Sequence, residues 1–148
     1  MQDKIVIQYN FITQKEIEKL LIFFNESKNI ERHRDTFKLD LYDNFLDIKT
    51  KFNQFNSKLK IDWWQIVQWP QGSYQPFHKD ITSDKTKLTS ITYLNDNFKG
   101  GETVFFDNTK IYPYPGKTIF FDGQRFDHSV SAVLTKVRYT LACWYKYI

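Results

Sequence analysis

Residues 78–106 read HKDITSDKTKLTSITYLNDNFKGGETVFF, and this stretch decides the predicted fold class. Two short runs within it, KLTSITYL and ETVFF, are rich in β-branched and aromatic residues. The segment between them, NDNFKGG, is rich in residues that form turns. Short runs bounded in this way are typical of β-strands joined by tight connections. The stretch therefore predicts two strands separated by a turn.

The same pattern continues through the C-terminal part of the chain. From residue 61 onward, short β-rich runs alternate with turn segments. Besides the two runs above, they are IDWWQIVQW, KIYPY, KTIFF, HSVSAV and VRYTLACWYKY. Short strands at this density favour a sandwich or a jelly roll over a parallel sheet.

The N-terminal part instead shows helical spacing. Thr13 followed by Glu16 forms a capping-box motif, which marks the start of a helix. Apolar residues then recur every three or four positions, at Ile17, Leu20, Leu21 and Phe24. A second stripe predicts another helix before Lys60, at Phe45, Ile48, Phe52, Phe55 and Leu59. The predicted class is α+β, mainly β, with two N-terminal helices supporting a sheet.

Composition limits the classes of protein that the chain can be. Its 148 residues suit one domain, which we expect to span residues 1–148. The single cysteine, Cys143, cannot form an internal disulfide, and residues 1–10 lack a long apolar run, so a cytoplasmic location and no membrane span are expected. The net charge of +4 comes mostly from scattered lysines. A lysine-rich segment at 49–60 is better explained as a solvated helix face than as a nucleic-acid patch.

Three side chains in the strand-rich part form a candidate metal site. His78 and Asp80 make an H-x-D motif, and residues two apart in a strand face the same side. His128 follows the run KTIFF and a turn around Gly123. If His128 points inward, the three residues form the two-His-one-carboxylate set that is diagnostic for non-haem Fe(II) oxygenases. The H-x-D motif alone is weak, so the prediction depends on the rest of the C-terminal third.

Arg138 is a candidate anion-binding residue. In the run VRYTLACWY, alternation places Arg138, Thr140 and Trp144 on the same side of a strand. A guanidinium can bind a carboxylate through two parallel hydrogen bonds, and a threonine hydroxyl can add a third. An inward-facing arginine also requires an anion, because a buried unpaired charge is costly.

Together, these motifs resemble the Fe(II)- and 2-oxoglutarate-dependent dioxygenases, in particular the prolyl 4-hydroxylase-like branch. The matching features are His78, Asp80, His128 and Arg138, the segment YLNDNFKGGET at 93–103, and RYTLACWY. The resemblance implies a double-stranded β-helix, a cupin-like jelly roll, with Fe(II) bound by the two histidines and the aspartate. It further implies that Arg138 binds the distal carboxylate of 2-oxoglutarate, assisted by Thr140.

The implied reaction hydroxylates a substrate C–H bond and decarboxylates 2-oxoglutarate to succinate and CO2. Fe(II), 2-oxoglutarate and O2 are the implied cofactors, with ascorbate as an optional reductant. A peptidyl proline is the favoured substrate; another peptide residue, a free amino acid or a methylated nucleobase would use the same chemistry. A zinc hydrolase and a non-catalytic jelly-roll binding module are the alternatives from other classes. Arg138 and Thr140 would form an anion-binding site beside the metal, here called the anion seat. They weigh against zinc, because zinc-dependent hydrolysis needs no such site.

Several positions depart from the resemblance or extend it. Many prolyl hydroxylases have lysine in place of Arg138, and the family often has a tyrosine that contacts 2-oxoglutarate in place of Trp69. Tyr74 is a candidate substitute for that tyrosine. Trp144 and Arg34 are candidate substrate-side residues near the metal, with a packing role for Trp144 equally open. The polar segment at 81–88 is either a lid or an ordinary surface connection.

Overall fold

Helix α1 (Gln14–Glu26) forms where the sequence predicts it. The computed structural model describes residues 4–80 and 85–148. The Thr13 hydroxyl accepts a hydrogen bond from the Glu16 backbone at 3.1 Å, and the Glu16 carboxylate accepts one from the Thr13 backbone at 2.9 Å. The predicted capping box is therefore confirmed. The buried face of α1 consists of Ile17, Leu20 and Phe24.

Helix α2 (Leu46–Asn53) is shorter than predicted. The expectation of a helix up to Leu59 is wrong beyond Asn53, because Leu59 is the first residue of a strand. The Asn56 side chain accepts a hydrogen bond from the Lys58 backbone at 2.9 Å, which favours a turn over a further helical turn. Neither described helix has the length and apolar character that crossing a membrane requires.

Two antiparallel sheets make up most of the structure. The larger sheet has seven strands in the order β1 (Val6–Gln8), β10 (Thr118–Phe121), β6 (Leu88–Tyr93), β13 (Arg138–Tyr147), β4 (Leu59–Trp69), β3 (Thr36–Asp40) and β2 (Glu31–His33). The smaller has four, in the order β5 (Gln75–His78), β11 (His128–Val130), β8 (Thr103–Phe105) and β9 (Lys110–Ile111). A two-stranded ribbon pairs β12 (Val133–Thr135) with β7 (Lys99–Gly100). The predicted jelly-roll class is confirmed.

The hairpin β2–β3 was not predicted from the sequence. Its residues, ERH and TFKLD, are mostly charged or polar, which conceals the strand periodicity. The hairpin extends the larger sheet past β4, because β3 pairs with β4 along its length. Arg34 lies in its turn with a backbone φ of 55°.

The larger sheet separates the helix-side core from the candidate site. Along β13, Leu141, Cys143 and Tyr145 belong to the same buried cluster as α1 and α2. The alternate residues Arg138 and Thr140 face the smaller sheet, as the predicted alternation requires. Burial raises the pKa of the Cys143 thiol to about 12, so this cysteine is a buried apolar residue rather than a reactive one.

Candidate active site

The two histidines of the candidate metal site lie side by side on neighbouring strands. His78 is the last residue of β5 and His128 is the first residue of β11, and they are direct partners in the antiparallel ladder. Their ring centroids are 4.3 Å apart. Strand pairing therefore brings together two histidines from distant parts of the sequence.

Asp80 lies beyond the end of β5, not within the strand as the prediction assumed. Its backbone N–H donates to the Gly123 carbonyl at 2.7 Å, so the turn before β11 fixes its position. Its Oδ1 lies 3.5 Å from His78 Nε2 and 3.2 Å from His128 Nε2. The three candidate ligand atoms all lie within 4.8 Å of one another. The predicted convergence is thus present, although a turn rather than a strand produces it.

The imidazole rings are oriented with Nε2 toward Asp80. His78 Nδ1 lies 2.9 Å from the Pro76 carbonyl, and His128 Nδ1 lies 2.8 Å from the Phe126 carbonyl. Because a carbonyl only accepts, each Nδ1 carries a proton, so Nε2 is the ring atom whose lone pair a neutral imidazole can offer to a metal. This pattern is typical of metal-binding histidines, and two imidazoles with one carboxylate suit a divalent transition metal.

The second oxygen of Asp80 is occupied by hydrogen bonds. Oδ2 accepts from Thr89 Oγ1 at 2.8 Å and from Trp144 Nε1 at 3.3 Å. Only Oδ1 therefore faces the two histidines. Burial acts to raise the pKa of the Asp80 carboxyl, but hydrogen bonds from the two histidines and Thr89 outweigh it and hold the pKa below its ordinary value. The carboxylate is thus ionised and held in one orientation.

Gly123→Ala is expected to weaken metal binding about 10- to 100-fold, the usual effect of disturbing the groups around a metal ligand. A Cβ at Gly123 would lie 2.9 Å from Asp80 Cγ and 2.5 Å from Thr89 Oγ1, so the carboxylate would have to move. Anaerobic equilibrium dialysis with Fe(II) measures the change. Gly72→Ala is the control. The added Cβ meets no atom within 4 Å, but alanine is strained at a backbone φ of 90°, so this variant should lose stability and keep native metal affinity. Unchanged iron affinity in the Gly123 variant would contradict this role.

Arg138 is buried between the two sheets, and no carboxylate of the described residues forms an ion pair with it. It is 1% exposed, and its Nε donates to the Gly101 carbonyl at 2.8 Å and its Nη2 to Thr103 Oγ1 at 3.3 Å. The guanidinium lies 4.8 Å from the ring centroid of Trp69 and 5.4 Å from that of Tyr93. No ion pair among residues 4–80 and 85–148 involves it, and burial lowers its pKa. Tyr93 and the more distant charge of Glu102 oppose that lowering. A buried cation without a carboxylate in contact among the described residues fits an anionic ligand.

The separation between the arginine and the histidines suits a short dicarboxylate. Arg138 contacts Thr103 on β8, and Phe105 on the same strand is the ladder partner of His128. Two residues of an antiparallel strand span about 6.8 Å, which is comparable to the length of an extended five-carbon dicarboxylate. The residues present therefore fit both a divalent metal and 2-oxoglutarate.

The other residues predicted around the anion seat have different positions. Trp69 stacks on the Arg138 guanidinium, and its one N–H donates to Thr140 Oγ1 at 3.4 Å. Thr140 is buried beside the arginine. Tyr74 is 58% exposed, and none of the described contacts of Arg138 involves it. The structure thus gathers Trp69 and Thr140 at Arg138 and leaves Tyr74 at the surface.

Trp144 and Arg34, the two residues predicted on the substrate side, differ in how closely they approach Asp80. The Trp144 N–H donates to Asp80 Oδ2, and its ring stacks on Trp63 with ring centroids 4.3 Å apart. Arg34 is exposed, in the turn between β2 and β3. Burial and the charge of Arg34 act to lower the pKa of His78, but the interactions with Asp80 and the Pro76 carbonyl outweigh them and raise it. The segment 81–88, for which a lid and an ordinary surface connection were both open, lies partly outside the described residues, since 81–84 are not among them.

Two side chains of the anion seat were missed by sequence reasoning. The Tyr93 hydroxyl and Thr103 Oγ1 are 2.5 Å apart, and both residues contact Arg138. They begin and end the segment YLNDNFKGGET, whose resemblance to the family gives its individual residues no roles. Their convergence depends on β6 lying beside β13 and on β8 lying across from it.

Comparison with known proteins gives a family and several similar structures. The family described as 2OG-Fe(II) oxygenase superfamily matches residues 64–146. No curated protein sequence matches the chain. The viral collagen prolyl hydroxylase of Paramecium bursaria Chlorella virus-1, in its 2OG complex, is 18% identical with a TM-score of 0.78, covering 97% of this chain and 96% of that one.

Two further structures have the same fold. A Pseudomonas putida prolyl-4-hydroxylase is 16% identical with a TM-score of 0.77, covering 97% of this chain and 92% of its own. A Trichoplax adhaerens prolyl hydroxylase, in complex with a hypoxia inducible factor oxygen degradation domain peptide fragment, is 16% identical with a TM-score of 0.74, covering 97% and 83%. Because the family match spans residues 64–146 of the 148, the chain belongs to the 2OG-Fe(II) oxygenase superfamily.

Proposed function

We propose that this dioxygenase hydroxylates a C–H bond of a proline residue in a peptide, with coupled decarboxylation of 2-oxoglutarate to succinate and CO2. Its superfamily uses Fe(II), 2-oxoglutarate and O2. In the proposal, His78, Asp80 and His128 bind the iron. Arg138 binds the distal carboxylate of 2-oxoglutarate.

The observation that carries the proposal is a buried arginine that forms no ion pair within 4–80 and 85–148. It lies on the same side of the larger sheet as the candidate metal ligands. Among the described residues, the hydrogen-bond partners of Arg138 are the neutral groups of Gly101, Thr103 and Tyr93. A dicarboxylate would neutralise the guanidinium and could accept two hydrogen bonds from it. Bound iron would supply oxygen activation, and three protein ligands on one face leave positions for the keto acid and O2.

The protein residues have distinct tasks in this scheme. The carbonyls of Pro76 and Phe126 orient the imidazoles, while Thr89 and Trp144 hold the carboxylate so that Asp80 offers one oxygen. The scheme requires no side-chain acid or base. The protein's contribution is the position of the ligands and a pocket that excludes water.

A pair of stacked indoles beside Asp80 supports a ring-shaped, uncharged substrate group. Trp63 and Trp144 are both half-buried, and the N–H of Trp63 donates to Asp40 at 2.8 Å. Lys38 lies over Trp63 at 5.5 Å. An indole face packs well against a prolyl ring, and aromatic surfaces are common in proline-rich peptide recognition. Two of the similar structures are named as prolyl hydroxylases and a third as a collagen prolyl hydroxylase, and one of them holds a peptide fragment.

The other substrates considered share the chemistry. Another peptide residue, a free amino acid or a methylated nucleobase could occupy the same position beside the iron. The alternatives from other classes, a zinc hydrolase and a non-catalytic binding module, do not fit membership of the oxygenase superfamily.

The test measures turnover with candidate substrates. The protein is supplied with Fe(II), 2-oxoglutarate, ascorbate and O2, and succinate release is followed with proline-containing peptides and with matched peptides in which alanine replaces proline. The proposal expects succinate release and a mass gain of one oxygen atom only with the proline peptides. Stimulation by free amino acids or methylated oligonucleotides, and not by proline peptides, would reject the substrate while leaving the chemistry in place.

A further inference from the structure

Gln65 faces the candidate site from the middle of β4. Its neighbours Trp64 and Ile66 belong to the helix-side core, so the odd-numbered residues from Trp63 to Trp69 point to the opposite face. Trp63, on that face, stacks on the indole of Trp144. Trp69, also on that face, stacks on the buried arginine. Gln65 therefore lies in a row whose ends reach the metal ligands and the anion seat.

The strand register places Gln65 between these two ends. Its ladder partner on β13 is Ala142. On one side of Ala142 is Trp144, whose indole bonds Asp80. On the other side is Thr140, two residues from the arginine. The small side chain of Ala142 leaves the carboxamide of Gln65 as the polar group at mid-pocket.

The carboxamide of Gln65 has an unsatisfied atom. Gln65 is 8% exposed, and its Oε1 is the one buried side-chain polar atom without a hydrogen-bond partner in the described part of the chain. Leaving a buried polar group unpaired is costly, so such groups are usually satisfied by a ligand, an ion or water. The group is thus suited to a partner that occupies the pocket.

We propose that the Gln65 carboxamide binds the metal-proximal end of 2-oxoglutarate, the end that carries the keto and first carboxylate groups. This inference rests on the proposed function. The cosubstrate dianion offers only acceptors, so the amide N–H₂ donates. Rotation by half a turn about the last side-chain bond puts the N–H₂ where Oε1 now lies. Trp69 cannot donate this hydrogen bond to 2-oxoglutarate, because its single N–H already donates to Thr140.

The experiment compares the native protein with Gln65→Met, which keeps an unbranched side chain and removes the amide. Each protein is loaded with Fe(II) anaerobically and titrated with 2-oxoglutarate, following the visible charge-transfer band of the chelate. The variant should bind 2-oxoglutarate about tenfold more weakly, as expected for a lost hydrogen bond to a charged group. The band maximum should shift, since the amide would no longer polarise the chelate. The thermal unfolding midpoint of the ligand-free variant should not fall, because an unsatisfied group has been removed.

Gln68→Leu is the matched control on the same strand. The Gln68 side chain donates to the Tyr139 hydroxyl at 2.8 Å on the helix-side face. This variant should lower the thermal midpoint and leave 2-oxoglutarate affinity unchanged, the reverse of the pattern at Gln65. If Gln65→Met does not fold, Gln65→Glu takes its place in the experiment. Glutamate keeps the shape of the glutamine side chain, and its negative charge should weaken binding of the 2-oxoglutarate dianion.

The outcomes separate the two proposals. If native protein with Fe(II) and 2-oxoglutarate gives no band, the proposed function fails. If native protein gives the band and the Gln65 variants bind 2-oxoglutarate as tightly as native, only the inference about Gln65 is overturned. A fall in stability of the Gln65→Met protein with unchanged cosubstrate affinity would also overturn it, because it would indicate a packing role alone.

Discussion

Asp80→Ala is expected to abolish Fe(II) binding, lowering affinity more than about 1,000-fold, which corresponds to about 4 kcal/mol. Asp80 is the one carboxylate among the three candidate ligands, and its Oδ1 faces both imidazoles. Without it, two neutral imidazoles would hold a doubly charged ion in a pocket that also contains the buried Arg138. Anaerobic equilibrium dialysis of the variant against Fe(II) measures the loss.

The control for this substitution is Asp62→Ala. Asp62 pairs with Lys146 at 3.0 Å in a partly exposed ion pair. Exposed ion pairs contribute little, so this variant should retain native iron affinity and nearly native stability. If Asp80→Ala bound iron as well as Asp62→Ala, the assignment of Asp80 as a ligand would be wrong.

Arg138→Met is expected to weaken 2-oxoglutarate binding roughly 100-fold or more, about 3 kcal/mol, while Fe(II) affinity stays close to native. The substitution removes the cation and keeps an unbranched apolar side chain beside Trp69 and Tyr93. The ligand-free variant should unfold at or above the native midpoint, because the removed charge has no ion-pair partner among the described residues. Titration of the iron-loaded variant with 2-oxoglutarate measures the affinity.

Arg138→Lys serves as the graded comparison. Lysine retains the charge but not the planar pair of donors, so binding should fall between native and the methionine variant, about tenfold below native. Equal cosubstrate affinity in all three proteins would remove Arg138 from the proposed anion seat.

The sequence was informative where the local pattern decides the structure. The capping box of Thr13 and Glu16 and the alternation along β13 are both present as predicted. The hydrogen bonds of a capping box join residues three positions apart, and strand alternation follows from backbone geometry. Neither therefore requires knowledge of distant residues.

The sequence was less informative where long-range pairing decides. The place of Asp80 depends on a backbone hydrogen bond to Gly123, and the two histidines lie side by side because β5 pairs with β11. Neither contact can be deduced from spacing along the chain.

The same limit explains the residues that were missed. Tyr93 and Thr103 reach Arg138 from different sheets, so their roles emerge only when β6 and β8 are placed. Gln65 reads as an ordinary polar residue in an apolar strand until its register with Ala142 is known. Local signals also misled at the end of α2, where an apolar spacing continued past Asn53 although Asn56 favours a turn.

The most direct test of the central claim is an anaerobic titration of the native protein with Fe(II) and then 2-oxoglutarate, followed by visible absorption. The account predicts a charge-transfer band that needs both ligands, saturates at one 2-oxoglutarate per chain, and is absent in Asp80→Ala. Iron-loaded native protein that gives no band at saturating 2-oxoglutarate would contradict the account.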